Sequence, residues 1–130
     1  MKLSTSKWVS KAEAELQGAT TMRNGTEPLH DLVCFHAQQS AEKCDNAVLV
    51  ERSTLFPKTH DWTLLADLPK PPIEAVDLMR CDSDELLRLA IQERSLGFSA
   101  DTAKSDRACE VANIVRVICR NVLSLASEED

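Results

Sequence analysis

Apolar positions recur at helical spacing along almost the whole chain, and alternation of apolar with polar residues never lasts more than a few positions. Trp8, Val9, Ala12, Leu16 and Ala19 predict a first helix over about residues 5–22, with Ser4, Thr5 or Ser6 as its N-cap. Asn24-Gly25, residues that tolerate positive φ, close it. A long second helix is expected over about 27–52, with Pro28 in its first turn. Val33, Ala37, Ala41, Cys44 and Val48 step by four, four, three and four, which draws one apolar stripe. Leu29, Leu32, Phe35, Leu49 and Val50 widen that stripe, so this helix belongs at the centre of the fold.

Phe56-Pro57 interrupts the pattern, and a short helix is predicted over about 60–68 with Trp62, Leu64, Leu65 and Leu68 as its buried side. Pro69, Pro71 and Pro72 stop it, since the ring removes a donor and fixes φ. Leu86, Leu87, Leu89, Ala90 and Ile91 predict a further helix over about 83–94. Asp101 or Thr102 then caps a last long helix over about 101–126. Its apolar face runs through Ala108, Val111, Ala112, Val115, Ile118, Cys119, Val122 and Leu125, and Ile114 and Val117 extend it. Such width suits a helix packed both by its own bundle and by a second copy of the chain, so a homodimer is expected. The expected fold class is all-α, an antiparallel up-and-down helical bundle of four to five helices forming a single domain over residues 1–130.

Composition narrows the function. Of 130 residues, 43% are hydrophobic and 28% charged, which suits one globular domain rather than a disordered chain. Aromatics reach only 4% and tyrosine is absent, so the core is aliphatic and the composition argues against base-stacking platforms. The net charge of -6 arises wholly in residues 61–130, where 14 acidic residues face 8 basic ones; residues 1–60 balance at 7 and 7. That balance disfavours non-specific nucleic-acid binding. Cys34, Cys44, Cys81, Cys109 and Cys119 form no CxxC pair, and the start MKLSTSKW lacks an apolar leader, so free thiols in the cytoplasm are expected. With His30, His36 and His60 the only histidines, no zinc spacing exists; no metal, cofactor or membrane span is expected.

The chemistry-bearing stretch is Phe35-His36-Ala37-Gln38-Gln39-Ser40-Ala41-Glu42-Lys43 on the second helix, followed by Phe56-Pro57-Lys58-Thr59-His60-Asp61 leading into the short one. His36, Gln39 and Lys43 are spaced three and four and share one side, while Gln38, Glu42 and Asp45 form the adjoining side. Such groups either bond neighbouring helices and the loop before His60 or present donors and acceptors to a polar ligand. Thr59 and Asp61 suit the N-terminus of a helix, from which His60 folds back towards Glu42 or Lys43. On the last helix Arg116 and Arg120, one turn apart, either clamp a phosphate or pair with acids such as Asp84, Glu85 or Glu93. The candidate ligand-binding residues are therefore His36, Gln39, Glu42, Lys43, His60, Arg116 and Arg120.

The double motif, Gln-Gln with Glu-Lys and then Thr-His-Asp, resembles the HEPN domain family in spacing and order, over about residues 5–126. The resemblance implies a helical, nucleotide-binding fold whose members divide by activity. Some are metal-independent ribonucleases with an Arg-x4-6-His motif on the last long helix, where His acts as acid or base and Arg holds phosphate. This chain has no histidine after His60, and Arg23-x6-His30 meets the count only across Asn24-Gly25 and Pro28. It also has no tyrosine to accept the adenylylation that toxin-type members undergo, and Asn46 stands where related sequences place a lysine. The resemblance then implies a non-catalytic nucleotide-binding or interaction module, partnering a minimal nucleotidyltransferase in a toxin–antitoxin-like pair. The alternative is a ribonuclease toxin acting on RNA through an atypical site that recruits His36 or His60.

Overall fold

The computed structural model describes residues 1–51, 84–89 and 100–129, with side chains to residue 123. The expected helix over 60–68, with His60 and the Thr59–Asp61 corner, lies outside the described residues. Helix α1 spans Leu3–Arg23 and α2 spans His30–Glu51. Residues 84–89 are helical (α3), and α4 spans Thr102–Glu129. The described residues contain no strand, and the fold is all-α as the periodicity predicts.

Helix α2 is the central element. Val33, Ala37, Ala41, Cys44 and Val48 are all buried, together with Cys34, Ala47 and Leu49. The stripe read from the sequence is the packed face. Its partners are small: Ala12, Leu16 and Ala19 from α1 and Ala108, Val111, Ala112 and Val115 from α4. Small side chains let helix axes approach closely, and a tight aliphatic interior is what a chain poor in aromatics can build. The Ser40 hydroxyl donates to the Ala12 carbonyl at 2.8 Å, tying α2 to α1 at mid-length. From α3, Leu86 and Leu89 enter the same core.

Cross-helix bonds fix the directions. Thr5 meets Glu51 and Ser40 meets Ala12, so α1 and α2 are antiparallel. His30 Nδ1 lies 2.8 Å from Ser105 Oγ, and the Cys119 thiol donates to the Cys44 carbonyl at 3.4 Å, so α2 and α4 run parallel. The chain therefore enters α4 at the end of the bundle where α2 began.

The helix termini differ from expectation in detail. α1 begins at Leu3 with Lys2 in the N-cap position, and the Lys2 side chain makes no capping bond. Ser4, Thr5 and Ser6 thus lie inside the helix. The acceptor comes from the far end of α2: Glu51 Oε1 takes the Lys2 backbone N–H at 3.0 Å and the buried Thr5 hydroxyl at 2.9 Å. Asn24 closes α1 at φ -88°, ψ 1°, outside the left-handed region, with its N–H on the Thr20 carbonyl at 3.1 Å. α2 starts at His30, so Pro28 precedes the helix rather than sitting in its first turn. Leu29 takes the N-cap place, its carbonyl accepting the Val33 N–H at 3.0 Å. Asp101 caps α4 as predicted, accepting the Lys104 N–H at 2.9 Å, and Asp31 takes the Ala100 N–H at 2.6 Å.

Glu51 is held below the usual carboxylate range, chiefly by the Lys2 backbone N–H and also by the Thr5 hydroxyl. A depressed carboxyl stabilises the fold above its unfolded value and loses that contribution as pH falls through the folded one. Glu51→Ala is expected to lower unfolding free energy by about 1 kcal/mol at neutral pH, the scale of a lost helix cap, with the deficit shrinking in acid. Urea titration at neutral pH and at mildly acidic pH checks both the size and the pH trend.

Candidate functional site

The polar side chains of α2, half-buried around the fully buried Gln38, bond to one another. Lys43 Nζ donates to Glu15 Oε2 at 3.0 Å and to Gln39 Oε1 at 3.1 Å. Gln39 Nε2 donates to Gln38 Oε1 at 3.0 Å, and Gln38 Nε2 donates to Glu42 Oε2 at 3.1 Å. Each amide accepts on one side and donates on the other, so the chain runs one way from ammonium to carboxylate, an order in which the bonds polarise one another. His36 joins through Nδ1, 3.1 Å from the other oxygen of Glu15. Its ring also packs edge-on against Phe35, with ring centroids 5.2 Å apart. The structure thus brings His36, Gln39, Glu42 and Lys43 into one network, with Glu15 of α1 as its anchor.

The arginines of α4 meet a different carboxylate. Arg116 Nε donates to Glu13 Oε1 at 2.7 Å, and Arg120 Nη1 reaches the same oxygen at 3.4 Å. Of the acids expected as their partners, Glu85 is taken by Arg107 at 2.7 Å, and Glu93 lies outside the described residues. Glu13 and Glu15 are two residues apart, hence about 200° apart around α1, so the polar groups form two sites on opposite flanks of that helix. Between α1 and α4, Glu13, Leu16, Gln17, Thr20, Thr21, Asn113 and Arg116 line an open cleft of about 360 Å³.

Both α1 glutamates were missed as functional residues by sequence reasoning. The available signal was their position bordering the buried Ala12–Leu16–Ala19 stripe, where a carboxylate can reach a neighbouring helix. The remaining described histidine, His30, sits at the opposite end of the network between Ser105 and Thr102, with Nε2 3.4 Å from the Thr102 hydroxyl. The Ser105 hydroxyl also lies 3.1 Å from the Thr102 carbonyl, so it meets both the imidazole and the first turn of α4. Arg23 pairs with Asp106 at 3.8 Å. Both arms of the Arg23-x6-His30 spacing therefore dock onto the start of α4.

Cys34, Cys44, Cys109 and Cys119 are buried thiols. Contact with Cys119 and burial push the Cys44 thiol far up, and burial raises Cys109, so neither is a ready nucleophile. Among the described residues no group of three or more His, Cys, Asp or Glu is placed to hold a metal ion, and no helix is long and apolar enough to cross a membrane.

A buried carboxyl of α2 stays outside the network. Asp45 is fully buried, and neither of its carboxylate oxygens has a hydrogen-bond partner among the described residues. Burial first, and the charge of Glu42 second, push its carboxyl up to about 7.

Comparison with known proteins places this geometry. The family model described as the HEPN domain matches residues 5–125. The crystal structure of TT1696 from Thermus thermophilus superposes with a TM-score of 0.73 at 20% identity, covering 91% of this chain and 97% of that one. The crystal structure of ST0689, an archaeal HEPN homologue, gives a TM-score of 0.69 at 18% identity, covering 93% and 98%. At these identities the two structures share the fold. No curated protein matches the chain.

A carboxyl raised on folding stabilises the protein below its unfolded value of 3.8 and loses that contribution as pH rises through about 7. Asp45→Asn removes the buried charge and keeps the shape. The variant is expected to unfold at higher denaturant than the wild type above neutral pH, by up to roughly 4 kcal/mol, and to lose most of that advantage near pH 4. Paired urea titrations across that range check it.

Proposed function

The chain belongs to the HEPN domain family, and from that membership we propose that it acts as a catalytically silent binding module. On this reading it is a cytoplasmic homodimer that takes a nucleotide and works beside a minimal nucleotidyltransferase, as one half of a toxin–antitoxin-like pair. The observation that carries the reading is the state of α4: its Arg116 and Arg120 both rest on Glu13, and the helix contains no histidine. Ribonuclease chemistry of the family's kind needs an imidazole within hydrogen-bond reach of the phosphate-holding arginine. His30 contacts Ser105, eleven positions before Arg116, which is roughly 16 Å along the helix axis. His36 has its Nδ1 on Glu15 and belongs to the other flank of α1.

Within the polar network of α2, His36 and Lys43 are each partly exposed, so their outer edges are what a ligand could meet there. The dimer reading draws support from α4, where Val117 is 54% and Ile114 38% exposed beside the partly buried Ile118 and Val122. An apolar strip of that kind on a long helix suits a second copy of the same helix.

Three measurements test the reading. Total RNA incubated with the protein in EDTA is expected to stay intact; cleavage that His36→Ala or His60→Ala abolishes would replace the module by the ribonuclease alternative. Titration calorimetry with ATP, GTP and UTP, alone and with a minimal nucleotidyltransferase, is expected to give heat for at least one nucleotide. Silence throughout, with no complex formed, counts against it. Light scattering is expected to return twice the 14.4 kDa chain mass. Val117→Glu, which places a charge on the exposed strip, is expected to return the single-chain mass.

A further inference from the structure

The geometry points to the cleft between α1 and α4 as a binding site for a small organic molecule carrying an oxyanion, with Arg116 of its wall taking the oxyanion, Arg120 adding charge from beside Glu13, and the α1 wall taking the neutral body. This goes beyond the nucleotide reading, because it assigns a place and a charge preference whether or not a base is attached.

Charge sets the preference. Two guanidinium groups share one oxygen of Glu13, so this corner carries one positive charge in excess. The surplus stands out in a protein whose net charge is -6. Arg116 commits only Nε, at 2.7 Å, and its Nη groups make no bond among the described residues. The guanidinium is therefore fixed in orientation by Glu13 while its outer edge stays available, the arrangement that favours a forked bond to carboxylate or phosphate oxygens.

The rest of the cleft suits an uncharged, hydrogen-bonding body. Gln17, Thr20 and Thr21 line the α1 side with amide and hydroxyl groups that make no bond among the described residues. Asn113 spends its Nδ2 on the Cys109 carbonyl at 2.9 Å, which holds the side chain and leaves its Oδ1 as an acceptor. Leu16, nearly buried, supplies the apolar contact. A volume of about 360 Å³ admits a small metabolite-sized ligand.

Glu13 competes with any incoming oxyanion for the same arginines, and that competition gives the proposal a sign. If the pairing is only structural, removing Glu13 changes no ligand affinity. If the cleft is a site, Glu13→Gln strengthens binding and Arg116→Gln weakens it.

The test is a two-dimensional amide titration of the full chain with inorganic phosphate, acetate and AMP in turn, watching Thr20, Thr21, Asn113 and the Arg116 Nε–H. Expected are saturable shifts at these positions, about tenfold weaker in Arg116→Gln and several-fold tighter in Glu13→Gln. Thr20→Leu, which fills the cleft without touching charge, is expected to weaken AMP more than phosphate. Response to phosphate and AMP alone makes the oxyanion a phosphoryl group; equal response to acetate makes it a carboxylate as well. AMP shifts confined to Gln39 and Lys43, with the cleft silent, overturn the cleft and leave nucleotide binding standing. Phosphate or acetate shifts in the cleft without AMP binding do the reverse. No shift with any probe, or shifts that neither charge variant alters, overturn the site.

Discussion

The fold depends on burying α2, a helix that carries amides, carboxylates and an amine along with its apolar stripe. Gln38 is fully buried and its neighbours are half-buried, and an unpaired buried polar atom costs more than a bond returns. The solution is a directed chain from Lys43 through Gln39 and Gln38 to Glu42, anchored by Glu15 from the neighbouring helix. Removing Gln39 strands the Gln38 carbonyl oxygen, while Lys43 keeps its bond to Glu15, so the buried middle of the chain depends most on its neighbours. It also fixes register: Glu15 receives His36 and Lys43 on its separate oxygens, and sliding α1 by one turn forfeits both. The apolar contacts, made largely of alanine and cysteine, offer much less resistance to such a slide. Polar bonding sets the alignment that small apolar side chains leave loosely specified.

The same accounting of charge explains why an acidic protein keeps its cations in use. α1 supplies carboxylates to both flanks, Glu15 towards α2 and Glu13 towards α4. Lys43, Arg116 and Arg120 are each answered from a helix they face, not from their own. Exposed pairs of this kind contribute about 0–1 kcal/mol each, so their value lies in holding side chains in place rather than in raising stability. The flanks differ in balance: Glu15 meets one lysine and a titratable imidazole, while Glu13 meets two permanent cations.

Periodicity and small-residue spacing made the helices and the central place of α2 legible in the sequence, because a stripe such as Val33–Ala37–Ala41–Cys44–Val48 has only one buried reading. The Asp101 cap was legible for the same local reason. Caps and partners supplied from a distance were not. Glu51 serves the start of α1 from 46 residues away in sequence from Thr5, and no local pattern encodes that meeting. Glu13 and Glu15 looked like ordinary surface acids for the same cause: their partners lie on other helices. The His36, Gln39, Glu42 and Lys43 group was visible as a helix side, whereas its separation from Arg116 and Arg120 by the body of α1 required the packing itself.

Asp45 bears on the polar network of α2 from within the core. It lies one turn beyond Glu42, the acidic end of the network, yet neither of its oxygens is bonded among the described residues. Burial disfavours its charge, and the nearby Glu42 carboxylate disfavours it further. Near neutrality Asp45 is therefore divided between a neutral acid and a buried anion, while Glu42 takes the Gln38 amide. A second anion within the same turn destabilises the first through the low-dielectric interior, so ionisation of Asp45 weighs on the carboxylate that ends the chain. The network is most comfortable when Asp45 holds its proton, so this buried acid sets the pH range over which α2 is fully at ease in its own core.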